Sequence, residues 1–432
     1  MAGTSNMPAD ITTVVRPRRR YEYVSYAALG VLCLIACATI AVPLYVIRPF
    51  RAQGATALAI ALSVRRWGPW LAPLCALASI PLMLRAWRIA RRWTGRAPAV
   101  VLCPLTILFA VLVQINIYEI MFHPVEGLQF VAASQSKVLE DDMVLAISIG
   151  GQSRAYPIRT IGYHHIVNDW VGGVPVAATY CTLCHTGLVW RRDVNGRILT
   201  FRLGGINNQN ALLRDEETGS FWQQSTGVAL SGPLAGTQLQ LVPADEVTFT
   251  AWRKESPRGT IMAPVARYES EYETRDWDQR IGRYRTVIDT SKTGIAPREL
   301  MLGVVAGRAS RAYPLQRVLD QHLVSDSIGG QPVVLVVGPD GKSVRCFSAA
   351  MPRLAVVPAF YRKPDPGPAQ AAPAAGGSAA LFVESATGSE WDFRGCAVSG
   401  PSAGVCLTPI PITKSFWFNW HLDHPRTTVY AR

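Results

Sequence analysis

Residues 23–47 (YVSYAALGVLCLIACATIAVPLYVI) run without a charge between Glu22 and Arg48. At ~1.5 Å per residue this run is long enough to cross a hydrocarbon core of ~30 Å. It exceeds a signal-peptide core, and no convincing small-residue cleavage site accompanies it. Residues 67–84 form a second, shorter uncharged run with prolines at 69, 73 and 81, and residues 97–118 form a third. The stretch 52–64 is too short to span and reads as an interfacial helix. From residue 121 the pattern changes to short runs rich in Val, Tyr and Trp, such as 174–180 and 187–192. Asn195-Gly196 marks a hairpin turn before the strand-like RILTF. Helical spacing is confined to 157–163, 314–320 and the neighbourhood of Trp252. The pattern predicts a mostly β domain preceded by an α-helical membrane anchor of about three helices.

The β part contains an internal repeat. Ser153-Arg-Ala-Tyr-Pro157 matches Ser310-Arg-Ala-Tyr-Pro314, and at the same offset His165 meets His322, Asp169 meets Asp326 and Gly172-Gly173 meets Gly329-Gly330. Further on, TGSFW (218–222) meets TGSEW (387–391), and GVALSGPLAGTQLQLVP (227–243) meets GCAVSGPSAGVCLTPIP (395–411). Trp252 and Pro257 then meet Trp420 and Pro425. The order is collinear, which predicts a tandem-duplicated, pseudo-twofold β domain. Its expected parts are an anchor (1–120), a first repeat (121–262), a connector (263–300) and a second, degenerate repeat (301–432). A Pro/Ala/Gly-rich stretch, 361–380, is expected to be a disordered loop.

Charge sharpens this picture. The net charge is +13, but residues 1–120 hold thirteen Arg against three acids. The remainder carries only +3. The basic balance therefore belongs to the anchor, and a nucleic-acid partner is not expected. Arg16, Arg18, Arg19 and Arg20 precede the first run, and five Arg lie between the second and third. Four lie between the first and second. Nine against four puts the N-terminus in the cytoplasm of a bacterial inner membrane. Three crossings then place 121–432 outside, where disulfides persist. Cys33, Cys37, Cys75 and Cys103 fall in the apolar runs and read as inert core thiols.

The chemistry concentrates in the first copy. Cys181-Thr-Leu-Cys184-His185 joins two strands, whereas the second copy has a Gly-Pro-Asp-Gly turn there. Cys-x-x-Cys-His admits several readings. Haem c attachment needs both thiols and the adjacent His, but the motif sits between strands and has no obvious second axial ligand. Cys181 and Cys184 with His164, His165 or His185 would suit copper or zinc. A dithiol redox pair or a structural disulfide needs only the two cysteines. GGINNQNALLRDEE (204–217) also lacks a counterpart in the second copy. Its Asn207, Asn208, Asn210 and Arg214, with Gln223, are candidates for binding a substrate or cofactor. Trp222 and Gln224 stand beside them, but Trp222 is shared with Trp391 and reads as core.

The combination of AYP, HxIVND.VGG.PV..TYC.LC, F.LGG..N.N, TGS.WQQ..G.A..GPL.G..L and a terminal W..HP.T..Y resembles the bacterial DUF3179 family of uncharacterised proteins. The resemblance covers nearly all of 121–432. It implies the Cys-x-x-Cys hairpin and membrane association, and no known activity or cofactor. Relatives usually carry a small residue where this chain has His185. The leading expectation is a membrane-anchored extracytoplasmic domain with a Cys-x-x-Cys site for a transition metal or thiol redox chemistry. The alternatives are an envelope interaction domain with structural cysteines, partnered by another envelope protein, and a c-type haem protein. Cys396 and Cys406 flank a Gly-Pro turn and are expected to face each other as a cross-strand disulfide, leaving Cys346 unpaired. Peptide mapping of 390–412 with and without reductant should show the linked pair; two free thiols there would remove it.

Overall fold

The structure, a computed structural model, describes residues 17–351, 356–363 and 379–430. The N-terminal Arg16 and most of the 361–380 stretch (364–378) lie outside the described residues. The chain forms two compact units, Met1–Ile47 with Ala55–Asn116, and Arg48–Gly54 with Ile117–Arg432.

In the first unit, Tyr23–Val46, Ala55–Ile89 and Trp93–Leu112 are each long and apolar enough to cross a membrane. The expected interfacial helix at 52–64 and the short second span at 67–84 are one continuous 35-residue helix. Its prolines 69, 73 and 81 do not end it. Neighbouring helices and small local adjustments can satisfy the backbone groups that proline frees. The third helix ends at Leu112, short of the expected 118, and a five-residue helix, Ile117–Met121, follows it in the second unit. Small residues line the helix contacts: Ala36, Ala72, Ala76 and Ala110 in one cluster, Ala86 and Ala99 in another. Backbones approach closely at such positions.

The second unit is β-rich. Its first half holds three main sheets. Strands Met143–Ile149 and Gln152–Pro157 lie in a five-stranded sheet, Ile166–Val171, Val174–Cys181 and Thr186–Arg191 in a four-stranded one. Phe201–Asn207, Asn210–Asp215, Phe221–Gln223 and Ala229–Ser231 form the third. The second half carries three four-stranded sheets with elements in the same chain order. Register repeats too: Thr179 pairs with Leu188 and Val336 with Arg345, while Ile166 pairs with Thr179 and Leu323 with Val336.

The shared residues have local causes. Gly172 and Gly173 have φ of 56° and 79°, as a two-residue hairpin of right-handed twist demands. A Cβ on Gly172 would also lie 2.2 Å from the Ile149 carbonyl oxygen. The Tyr156 hydroxyl donates to buried Asp169 at 2.8 Å, and Tyr313 does the same for Asp326 at 2.9 Å. His165 and His322 follow the short helices Ile158–His164 and Leu315–Gln321 at φ near 60°, and the N–H of each returns to the helix.

Each half closes the other. Phe416 and Phe418, near the C-terminus, pack into the core around Tyr180, Cys184 and Trp222. Val247, Phe249 and Trp252 of the first half pack into the core around Phe347, Phe382 and Trp391. A half-buried ion pair of 2.5 Å joins Lys414 of strand Ile412–Phe416 to Glu246 of strand Asp245–Thr248.

Cys396 and Cys406 lie opposite each other in an antiparallel bridge, within disulfide distance and with Cα atoms 4.0 Å apart. Cys346 is free and buried. A bond across so short a loop stabilises mainly by restricting the unfolded chain, by roughly 2–3 kcal/mol. The double variant Cys396→Ser/Cys406→Ser should lose about that much in denaturant unfolding; an unchanged midpoint would remove this bond from the stability of the domain.

Candidate functional site

Strand Val174–Cys181 pairs with Thr186–Arg191 so that Cys181 faces Thr186. Thr182, Leu183, Cys184 and His185 make the connecting loop. It closes through the His185 N–H, which donates to the Thr182 carbonyl at 3.2 Å, and His185 itself has φ 55°. A non-glycine residue there costs on the order of 1 kcal/mol, so the surroundings must hold it. They do so from two directions. The Phe416 N–H donates to the Cys184 carbonyl at 3.0 Å, and Arg298 Nη1 donates to the Leu183 carbonyl at 2.7 Å. The two sulfurs are within disulfide distance, with Cα atoms 5.6 Å apart. Both residues are buried, Cys184 completely and Cys181 to 3% exposure.

A buried polar network converges on this pair. Asn210 Nδ2 lies 3.1 Å from Cys184 Sγ, 3.2 Å from Gln224 Oε1 and 3.4 Å from Asn419 Oδ1. Gln224 Nε2 donates to Thr179 Oγ1 at 3.0 Å and to the Thr186 carbonyl at 3.2 Å. Thr186 Oγ1 donates to Ser415 Oγ at 2.9 Å, and Asn419 Nδ2 donates to the same Ser415 oxygen at 3.0 Å. Where the first half has Thr179, the second has Val336. Gln224, two residues after Trp222, answers to Phe393, two residues after Trp391. Val336 and Phe393 belong to an apolar cluster. The second half builds its turn with Asp340, whose carboxylate accepts from the N–H groups of Lys342 and Ser343.

The asparagine-rich hairpin forms the roof. Asn208 and Gln209, at φ 47° and 69°, are the turn between strands Phe201–Asn207 and Asn210–Asp215. The Gln209 carbonyl oxygen is 3.5 Å from Cys181 Sγ, and its side-chain Nε2 donates to the Arg285 carbonyl at 2.9 Å. Asn208 points to Gln53, in the link between the first two apolar helices. Asn208 Oδ1 accepts the Gln53 N–H at 2.9 Å, and the Asn208 N–H donates to Gln53 Oε1 at 3.1 Å. Asn207 Nδ2 donates to Gln223 Oε1 at 2.9 Å. Arg214 stands at the far end of its strand beside Gly219. Of the five predicted binding residues, Asn210 alone is hydrogen-bonded to a sulfur among the described residues. Buried side-chain atoms without a partner also collect here: Asn207 Oδ1, Gln209 Oε1 and Arg298 Nη2.

The histidines are bonded elsewhere. His164 Nδ1 donates to the His123 carbonyl at 2.6 Å, and its Nε2 faces the Tyr272 hydroxyl at 3.1 Å. His165 Nδ1 donates to the Tyr180 carbonyl at 3.0 Å, and burial pushes its pKa down to about 4. His185 Nδ1 shares a hydrogen bond of 3.0 Å with the Tyr180 hydroxyl, and its ring stacks on Trp277 at 4.8 Å. Burial, then the charge of Lys414, holds this imidazole well below its usual range, so it is neutral. Among the described residues no group of three or more His, Cys, Asp or Glu side chains is arranged to hold a metal ion. The proposed copper or zinc set of Cys181, Cys184, His164, His165 and His185 is therefore not assembled. Haem fits no better, since a macrocycle on His185 would displace Trp277, Tyr180 and Phe416.

Sequence reasoning passed over Gln209, Thr179, Thr186, Ser415, Asn419 and Arg298. Only the polar-for-apolar exchanges at Thr179/Val336 and Gln224/Phe393 carried a signal. The segment expected as a connector is built over the site: Trp277, Arg285 and Arg298 all come from it.

Together these features define a β-rich protein with three apolar helices and a buried, paired Cys-x-x-Cys in a polar setting. The chain belongs to the family described as protein of unknown function (DUF3179), whose model matches residues 124–427. No curated protein and no solved structure matches it.

The buried histidines have a consequence for acid stability. Unfolded histidine titrates near 6.5. Between that value and about 4 the unfolded chain takes up a proton that folded His165 refuses. Its contribution is therefore full above about pH 6.5 and falls as pH drops towards 4. His165→Asn, which tolerates positive φ, should unfold in urea with a shallower loss of stability between pH 7 and 5 than the parent. Parallel curves would assign the acid sensitivity to other groups.

Proposed function

We propose that this protein is a membrane-anchored, extracytoplasmic thiol–disulfide protein whose redox couple is Cys181 and Cys184. In this reading the disulfide takes two electrons from a thiol substrate of the envelope. The protein becomes the dithiol and the substrate leaves as a disulfide. The observation that carries the proposal is the Asn210 amide on Cys184 Sγ, inside a buried polar network. Unpaired buried polar atoms cost roughly 1–3 kcal/mol each, so an apolar filling such as the second half has would serve stability better. The domain is read as a tandem duplication, on the matching registers and element order, with the chemistry added to one copy. The N-terminus is assigned to the cytoplasm. The Gln53–Asn208 bonds support the second and third helices both crossing, because the first link and the β region then share a side.

The rival reading is a structural staple within an envelope interaction domain, and the burial of both sulfurs favours it. Equilibration of the full-length protein in detergent against glutathione buffers separates the two. Thiols at 181 and 184 are counted by alkylation and mass, and folding is followed by tryptophan emission. A reversible transition with the fold intact is expected. Reduction that occurs only on unfolding would make the pair a staple, and stoichiometric copper or zinc in the purified protein would revive the metal reading.

A further inference from the structure

The two sulfurs sit in opposite electrostatic settings. Cys184 Sγ faces an N–H donor, Asn210 Nδ2, at 3.1 Å. Cys181 Sγ faces an acceptor, the Gln209 carbonyl oxygen, at 3.5 Å. An N–H donor stabilises a thiolate, whereas a carbonyl oxygen stabilises a thiol that can donate to it. Both contacts come from one hairpin tip, and each is fixed from outside. Gln209 is anchored to the Arg285 carbonyl, and Asn210 is shared with Gln224 and Asn419 while its Oδ1 accepts the Ser225 N–H at 3.2 Å. Cys181 is also the less enclosed of the two, at 3% exposure against none.

We infer that Cys181 is the sulfur attacked by an incoming thiol, that Cys184 is the leaving and resolving sulfur, and that Asn210 is the positioning residue that sets this order. This rests on the thiol–disulfide reading above. A substrate thiolate bonds to Cys181 Sγ while the Cys181–Cys184 bond breaks, and Cys184 takes the electron pair as a thiolate held by Asn210. A second substrate thiolate then attacks the substrate sulfur of the mixed disulfide. The substrate disulfide leaves, and the Cys181 thiolate takes a proton from solvent and donates to the Gln209 carbonyl. In the reverse direction, Cys184 resolves a mixed disulfide on Cys181. The second half has neither sulfur nor amide at this turn, so the order belongs to the first half alone.

The test uses oxidised full-length protein in detergent and glutathione as the thiol. Samples are acid-quenched and alkylated, and the adduct is mapped by peptide mass. Glutathione is expected on Cys181 and the alkyl group on Cys184. Asn210→Ala should slow reduction by about tenfold, the effect of one hydrogen bond to a charged group. In a Cys181→Ser background it should also raise the pH at which thiolate absorbance near 240 nm appears, by about a tenfold change in acidity. Asn210→Asp should slow reduction further, through repulsion of the developing charge. Thermal unfolding of each variant is measured alongside, so that a folding defect is seen as such. Glutathione on Cys184, or a folded Asn210→Ala variant with an unchanged rate and titration, overturns the inference and leaves the redox reading standing. Failure of glutathione to reduce the folded parent overturns both.

Discussion

The hydrogen bond from the Phe416 N–H to the Cys184 carbonyl, at 3.0 Å, is the join on which the site depends. It ties a turn at residue 184 to a strand that enters more than two hundred residues later. The aromatic rings that follow it in the chain close the first half's core, each contributing about 2–3 kcal/mol by burial. The reciprocal join is the Thr248 N–H to Ser343 Oγ, at 3.0 Å. Neither half completes its own core, so the site exists only in the folded whole.

That dependence explains how a polar network is tolerated in so dense an interior. Thr179, Thr186, Asn210, Gln224, Ser415 and Asn419 are all deeply buried. Satisfied by one another they are nearly neutral in cost, while a break in the chain of bonds strands several of them at once. The network also limits what the turn can do. It surrounds Cys184 with amide and hydroxyl groups, and the Arg298 guanidinium, on the Leu183 carbonyl at 2.7 Å, adds a positive charge to the same loop.

Much of this was legible from the chain. Apolar runs located the helices, and the recurring Ala-Tyr-Pro and Gly-Gly motifs located several strands, because hairpin glycines and the Tyr–Asp pairs need fixed residue types. The second helix was read too short because Arg65 and Arg66 divide its apolar residues into the runs 52–64 and 67–84, while the helix carries both arginines within its length. Of the residues singled out in the sequence, Cys181, Cys184 and Asn210 are brought together. The remaining partners of the site were not legible, because Ser415, Asn419 and Arg298 reach it through the exchange of closing segments, which leaves no local signature. The histidines misled for a related reason. His185 follows the cysteines in sequence, but its positive φ turns its ring onto Trp277.

The ion pair of Lys414 and Glu246 lies where the two halves of the β region touch. Each stands six residues before the tryptophan of its closing helix, Trp420 and Trp252. They occupy corresponding places in the two halves, and they meet. A glutamate at 414 would there press on Glu246, and a lysine at 246 would press on Lys414. With both side chains at 15% exposure or less, such a contact would be severely unfavourable. The two halves are therefore complementary in charge at this contact.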